Sequence, residues 1–337
     1  MMNDLPKPGA RMASEIAQAP AVFSSTARKD LGTLLDGFDV SALRTIFTVA
    51  RGSSDAAALM LSYLFMRHLK IPMTSLPPST FSVYGGVSMP SSAGLVISQS
   101  GASDDLVACA QGIRQQGGQV VAITNQPGSA VEAASNVTLP IGAGPELAIP
   151  ATKSVIGAIA AGQSLLGALV PDYRENVIAA ADAMDAFAAG PQLDLAPLQS
   201  GLLRANHVYV IGRGEGYGAA QEVALKLKET AALHAEAYSA SEVLHGPLQL
   251  ATNPLFVLIL DTGAALAQQS LDQAERRFVE TGAEVFRLRP PQAEFQCPAA
   301  MAAMLLYMVY PVVLNTTLAL GLDPDTPSAL SKVTKTS

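Results

Sequence analysis

Two distant stretches of this chain share one grammar, and that repetition restricts the fold more than any other feature. Thr45 to Ala50, a β-branched run, ends in Arg51-Gly52-Ser53-Ser54 and passes at once into a helical pattern from Asp55 to Leu69. Far downstream, Val208 to Ile211 ends in Gly212-Arg213-Gly214-Glu215-Gly216, and a helical pattern begins at Tyr217. Strand, glycine turn and helix form the unit of a parallel sheet, because parallel neighbours need a crossover and the helix supplies it. Each copy is followed by more of the same. Leu95–Ile97, Gln119–Thr124 and Asn136–Ile141 read as further strands of the first copy, around a helix at Asp104–Gln115 and before an apolar helix at Ser154–Val170. Leu255–Leu260 and Glu284–Leu288, with a helix at Leu266–Val279 between them, extend the second. The expected fold is α/β: two doubly wound domains with parallel sheets flanked by helices.

The boundaries follow from the punctuation. Residues 1–38 read as an N-terminal helical arm, in which Met12–Ala19 is followed by Pro20 and a second helical stretch. Residues 39–170 form the first domain, 171–200 a connecting helix and the turn-rich linker AGPQLDLAP, 201–325 the second domain and 326–337 a tail.

Composition excludes several classes of function. A net charge of −7 with no basic run leaves nothing to neutralise phosphates along a nucleic acid. The two cysteines, Cys109 and Cys297, lie far apart without the Cys/His spacing of a metal site, and the chain opens on polar MMNDLPKPGAR. A reduced, cytoplasmic protein with no metal is expected. Phe295 to Leu322 carries no charge and is long enough to span a bilayer. Pro298, Pro311, Asn315, Thr316 and Thr317 interrupt it, however, and no basic cluster flanks it. A helix buried in a domain or a subunit interface is therefore expected rather than a membrane span.

Three stretches carry candidate chemistry. The first half of Glu222–Pro247 reads as helix, since no Gly or Pro interrupts Ala219 to Val243; Glu222, Lys226 and Glu229 then share one face, either as a solvated charge row or as part of a site. His245 follows against the Gly246-Pro247 turn, and a carboxylate with an imidazole supplies the proton carriers that enolisation beside a carbonyl requires. Ser98-Gln99-Ser100-Gly101-Ala102-Ser103 puts hydroxyls and N–H groups at a strand-to-helix turn, which makes an anion cradle, a helix cap at Ser103, or both. Gly214, Gly216 and Ala219 match G-x-G-x-x-A, but that fingerprint needs a strand ending in an acid about 20 residues later. Those positions fall in HAEAY, which reads as helix or helix end, so the glycines are assigned to a tight turn and no cofactor is expected.

KLKE, HAEAY and the HGP turn, with the M-x-x-E-I-x-x-x-P opening at Met12, resemble the sugar isomerase (SIS) domain family. The specific likeness is to the isomerase part of glutamine:fructose-6-phosphate amidotransferase. The resemblance implies that Ser53, Ser54, Ser98, Gln99, Ser100 and Ser103 hold the phosphate of a sugar phosphate. It further implies that Glu229 moves a proton between C1 and C2, that His245 opens the sugar ring, and that Lys226 lies beside them with Glu222. Lys332, in the tail Leu330-Ser331-Lys332-Val333-Thr334, matches a lysine that forms a Schiff base with the open-chain ketose. In the family the histidine comes from the neighbouring subunit, so a homodimer with a shared active site is expected.

Asp261-Thr262-Gly263 stands where the second half would carry its own copy of the serine turn, so one phosphate site per chain is expected, in the first domain. The amidotransferases begin with a glutaminase domain whose nucleophile is an N-terminal cysteine. This sequence opens MMNDL with both cysteines internal, and the expected chemistry is ammonia release by a glucosamine-6-phosphate deaminase giving fructose 6-phosphate. The alternatives are a ketose-aldose isomerase, a deaminase or deglycase for another amino sugar phosphate, and a non-catalytic sugar-phosphate sensor.

Overall fold

The computed structural model describes residues 7–191, 193–291 and 297–332, divided between two compact units. Helix α1 (Ala10–Ala27) opens the described chain and runs through Pro20.

One unit comprises Ala21–Gly144 and Ser154–Asp185. Its elements are β1 (Thr45–Val49), α2 (Ser53–Leu69), β2 (Met73–Ser75), α3 (Ser79–Ser82), β3 (Ser92–Ser98), α4 (Asp104–Gln115), β4 (Gln119–Thr124), α5 (Ala130–Ala133), β5 (Val137–Pro140), α6 (Lys153–Leu169) and most of α7 (Arg174–Ala189). All the strand pairs are parallel, in the order β2-β1-β3-β4-β5. Strand β3 is buried at every residue, as a central strand covered on both faces must be. Leu106, Cys109 and Ile113 on α4 pack with Val49, Val96 and Val120 of the sheet. Burying each large aliphatic side chain contributes about 1.5–3 kcal/mol. Burial, with Asp105 nearby, pushes the Cys109 thiol up to about 12, so this cysteine is inert packing. Strand β2 escaped the sequence reading because Met73–Ser75 is too short to show a period.

The other unit comprises the described residues up to Pro20, Pro145–Lys153 and Ala186–Lys332. It holds α8 (Ala196–Arg204), β6 (His207–Gly212), α9 (Glu215–Ala231), β7 (His234–Ser239), β8 (Phe256–Leu260), α10 (Ala265–Glu280), β9 (Glu284–Leu288) and α11 (Pro298–Ala319). The sheet is again parallel, in the order β7-β6-β8-β9. The reading of HAEAY as helix or helix end is corrected here: α9 ends at Ala231, and HAEAYS is an edge strand paired from His207↔His234 to Gly212↔Ser239. Ala232 closes α9 in the left-handed conformation (φ 51°), a stop usually signalled by glycine, and pairing with β6 overrides the helix propensity of Ala and Glu.

Glu236 therefore lies on a strand, where a dinucleotide fingerprint would have its acid. The glycines nevertheless act in packing. A Cβ on Gly212 would meet Gly216 O at 2.0 Å, and one on Gly216 would meet Leu260 O at 3.0 Å, so both let α9 close onto the sheet. Glu236 sits in mid-strand and accepts a hydrogen bond from Tyr238 Oη at 2.7 Å.

Helix α11 is the uncharged stretch, with Pro298 in its first turn. It is long and apolar enough to cross a membrane, yet 83% of that apolar window is buried inside the structure, where α11 runs along α9. The expectation of a buried core helix holds.

Candidate active site

In the first sheet, β1 lies between β2 and β3, which places the topological switch point between β1 and β3. Ligands bind outside the C-terminal ends of the strands at that point in doubly wound sheets. Both serine turns are there: Arg51 to Ser54 after β1, and Ser98 to Ser103 after β3, its direct neighbour. The helices α2 and α4 start from these turns, so their N–H ends face the same edge.

The individual side chains divide the work. Ser98 Oγ accepts the Gly101 N–H at 3.0 Å and builds the turn. Ser100 Oγ accepts from Ala102 N at 3.3 Å. Gly101 has φ +59°, and a Cβ there would strike Ser129 Oγ at 2.2 Å, so only glycine fits. Ser103 occupies the N-cap position of α4, but its hydroxyl makes no capping bond. The expectation that Ser103 caps the helix is therefore corrected. Ser53, Ser54 and Gln99 are part-exposed at the same edge.

The sequence reading missed Arg51. Its guanidinium is ion-paired with the buried carboxylate of Asp105 in the first turn of α4, with Nε to Oδ2 at 2.5 Å, and so staples the two serine turns together.

In the other unit, the Glu222, Lys226 and Glu229 face is buried rather than solvated. Glu222 and Lys226 are 0% exposed, whereas the Glu229 side chain is 26% exposed and forms the open end of the row. Lys226 Nζ lies 2.5 Å from Glu229 Oε2 and 3.5 Å from Glu222 Oε1. Tyr310 Oη on α11 donates to Glu222 Oε1 at 3.1 Å. Burial works against charge on Lys226, but the two flanking carboxylates outweigh it and raise its pKa above the ordinary lysine value. Lys226 is therefore a buried cation held between two carboxylates, one of them Glu229.

Lys332 differs. Its Nζ donates to the carbonyl oxygen of Ala148 and lies 3.8 Å from Glu146 Oε2. Burial lowers its pKa, with Glu146, Glu15 and Glu229 pulling the other way. A lysine whose proton is loosened is the more nucleophilic amine. Neither Glu146 nor Tyr310 was found from the sequence; a lone Glu in a loop and a Tyr in an apolar helix carry no pattern.

His245 ends a short 3-10 turn (Glu242–His245) and is exposed, with no hydrogen bond or ion pair among the described residues. The structure does not join it to the Glu222–Lys226–Glu229 row. At the second switch point, between β6 and β8, Asp261 is 1% exposed. Its carboxylate accepts from Gly263 N at 2.8 Å, Gln268 Nε2 at 2.9 Å and Arg287 Nη2 at 2.8 Å. The tail residues Val333 and Thr334 lie outside the described residues.

Comparison with known proteins agrees with this architecture. The sequence model of the SIS domain matches residues 41–168 and 201–283. The glutamine–fructose-6-phosphate aminotransferase (isomerizing) of Pyrobaculum aerophilum is 30% identical over 351 residues, covering 95% of this chain and 56% of that protein. The chain thus spans about half the length of this relative. A provisionally named phosphosugar isomerase of Silicibacter pomeroyi has a solved structure that superposes with a TM-score of 0.80 at 31% identity, covering 94% of this chain and 99% of that one. The glucosamine-6-phosphate deaminase of Thermotoga maritima superposes with a TM-score of 0.72 at 18% identity, covering 97% and 100%, and shares the fold. With the domain matched twice over well more than half of its length, the chain belongs to the SIS domain family.

Proposed function

We propose that this chain is a phosphosugar isomerase whose specific reaction is deamination of glucosamine 6-phosphate to fructose 6-phosphate. The observation that carries the proposal is the pairing of a clamped, part-open carboxylate with a loosened amine in one unit: Glu229 fixed by Lys226, and Lys332 within the electrostatic reach of both. The names of the Silicibacter and Pyrobaculum relatives support the class of substrate. The Thermotoga glucosamine-6-phosphate deaminase shares the fold.

The steps follow from the groups. The phosphate is held at the first switch point by Ser53, Ser54, Ser100, Ser103 and Gln99, on a turn that Ser98 builds. His245, from a partner subunit in a homodimer, opens the ring. Glu229 takes the proton from C2 of the open aldehyde and returns it to C1, which leaves an imine at C2. Lys332 attacks that imine; ammonia leaves, and water hydrolyses the lysine ketimine to the ketose and the free amine. One water is consumed and one ammonia released per turn. Lys226 and Glu222 hold Glu229 in place.

Ammonia release from glucosamine 6-phosphate, read by a coupled dehydrogenase, tests the reaction. Turnover with ammonia supports the full reading. Interconversion of ketose and aldose phosphates without ammonia retains the isomerase and removes the deaminase. Ligand-dependent thermal stabilisation with neither activity assigns the chain to sensing. A ligand-bound crystal structure with phosphorus in the serine turn and C2 out of reach of Glu229 would sink the mechanism.

A further inference from the structure

The N-terminal arm, the loop Pro145–Lys153 and the C-terminal segment meet in one unit, although they are remote in sequence. Asp325 caps the start of α1, its carboxylate accepting from Arg11 N at 3.0 Å and Met12 N at 2.8 Å. The carbonyl of the same residue accepts the Ile149 N–H at 3.1 Å. One turn further along α1, Glu15 is 4% exposed, and its Oε1 accepts from the backbone of Leu147 and from Ala148 N at 3.3 Å. Gln18, on the next turn, receives Lys153 Nζ at 2.8 Å. The loop is therefore fixed at both ends by one helix. Its middle presents two groups to Lys332, the Ala148 carbonyl and the Glu146 carboxylate, and Glu146 Oε1 is itself held by Thr152 N at 3.0 Å.

Neither of the two described backbone amides that Glu15 holds belongs to a helix or strand, so the loop keeps its shape through this side chain. A buried backbone N–H without an acceptor costs roughly 1–3 kcal/mol, which is enough to let the loop rearrange when the acceptor is removed. The other oxygen, Glu15 Oε2, is buried and takes no hydrogen bond among the described residues. Burial raises the pKa of Glu15, and its charge is felt at Lys332.

We propose that Glu15 is a positioning residue for the Lys332 amine. By fixing peptides 146–148 it sets the carbonyl and the carboxylate that hold the amine, and the N-terminal arm becomes a working part of the site. This role rests on the reading of Lys332 as the imine-forming lysine, but the holding of Lys332 can be tested apart from it.

The full chain with Glu15→Ala and with Glu15→Gln decides the matter through two measurements. The first is reductive methylation of Lys332 without ligand, followed by peptide mass spectrometry. Glu15→Ala should label about threefold to tenfold faster than wild type, whereas Glu15→Gln, which keeps a neutral acceptor for both amides, should label near the wild-type rate. The second is the borohydride-trapped adduct of Lys332 with fructose 6-phosphate. It should fall about tenfold in Glu15→Ala, while the thermal shift produced by the same ligand is retained. A Glu15 that merely stabilised the fold would lower the melting temperature and leave both lysine readouts alone; that result overturns the proposal. Should Glu15→Ala fail to fold, Glu15→Asp withdraws the oxygens by one methylene, and wild-type labelling in that variant overturns the proposal equally. If wild type yields no adduct and no ammonia but labelling still responds to Glu15, the positioning stands and the enzymatic reading falls.

Discussion

The two sheets place their first strand in the same way, β1 between β2 and β3 and β6 between β7 and β8, yet the turns at the two switch points have opposite character. The first is lined by neutral hydroxyls over two helix starts, with the Arg51 guanidinium paired to Asp105. In the second, the chain fills the corresponding place with its own anion, Asp261, which accepts from Gly263, Gln268 and both Nε and Nη2 of Arg287. Parallel α/β topology creates a positive edge wherever two helices start side by side. What differs is whether the sequence provides the negative charge itself. A carboxylate at that point repels a second anion, and the same half carries the buried Glu222–Lys226–Glu229 row, to which the proposed mechanism gives the proton transfer.

The largest test of this division is Glu229→Gln. Removing the proton carrier should reduce turnover by about a thousandfold, within the range of general acid-base contributions, and leave the thermal shift with sugar phosphate intact. Activity within a few-fold of wild type would show that the second half does not carry the chemistry. Next in size is Ser100→Asp, which gives the first switch point the character of the second. The introduced carboxylate should weaken sugar-phosphate binding by about a hundredfold or more and abolish the thermal shift, since like charges in one site cost several kcal/mol. The converse change, Asp261→Ser, should create no phosphate site. It should cost about 2 kcal/mol in urea unfolding, because Arg287 loses one of three carboxylate partners in a part-buried position.

Much of the first half was legible in the sequence. The bounds of α4 and β4 match the sequence reading residue for residue, because a β-branched run and an amphipathic period each have one solution there. The serine turns were legible for the same reason: they lie between a strand and a helix that both announce themselves. The second half hid more. HAEAYS reads as helix by propensity and becomes a strand only through its partner β6. The bonds from Arg11 and Met12 to Asp325 join residues more than 300 positions apart, and no local pattern records them. Glu146 and Glu15 are visible as letters, but the meeting of Glu146 with Lys332 and of Glu15 with Ala148 depends on the folded loop.

Lys332 gives a prediction of intermediate size on the acid-base side. Burial favours the neutral amine and lowers its pKa, so the lysine loses its proton at a lower pH than a surface lysine would. The rate of borohydride-trapped adduct formation should therefore rise with pH and level off before the ordinary lysine range is reached. The groups that oppose this shift are Glu146, Glu15 and Glu229, while Lys226 reinforces it. Glu146→Gln removes one opposing charge, and the profile should move to still lower pH. A profile that tracks an exposed lysine would show that the amine does not react from the position beside Ala148.

Arg51 offers the smallest and most discriminating change. Its side chain is half exposed, whereas the Asp105 carboxylate it meets is nearly buried, with Oδ1 also accepting from Leu106 N at 3.0 Å. Arg51→Met keeps the aliphatic stem over the turn and removes the guanidinium. The start of α4 continues to stabilise Asp105 in part, so the fold should lose only about 1 kcal/mol. The uncompensated carboxylate then stands beside the serine turn, a mild version of what Asp261 does in the second half. Sugar-phosphate binding should weaken about threefold to tenfold, with the loss growing as ionic strength falls, because screening of a partly exposed charge is weakest in low salt. Wild-type affinity in Arg51→Met would mean that the hydroxyls and helix starts alone decide for the anion, and that the Arg51–Asp105 pair is only a staple between the two turns.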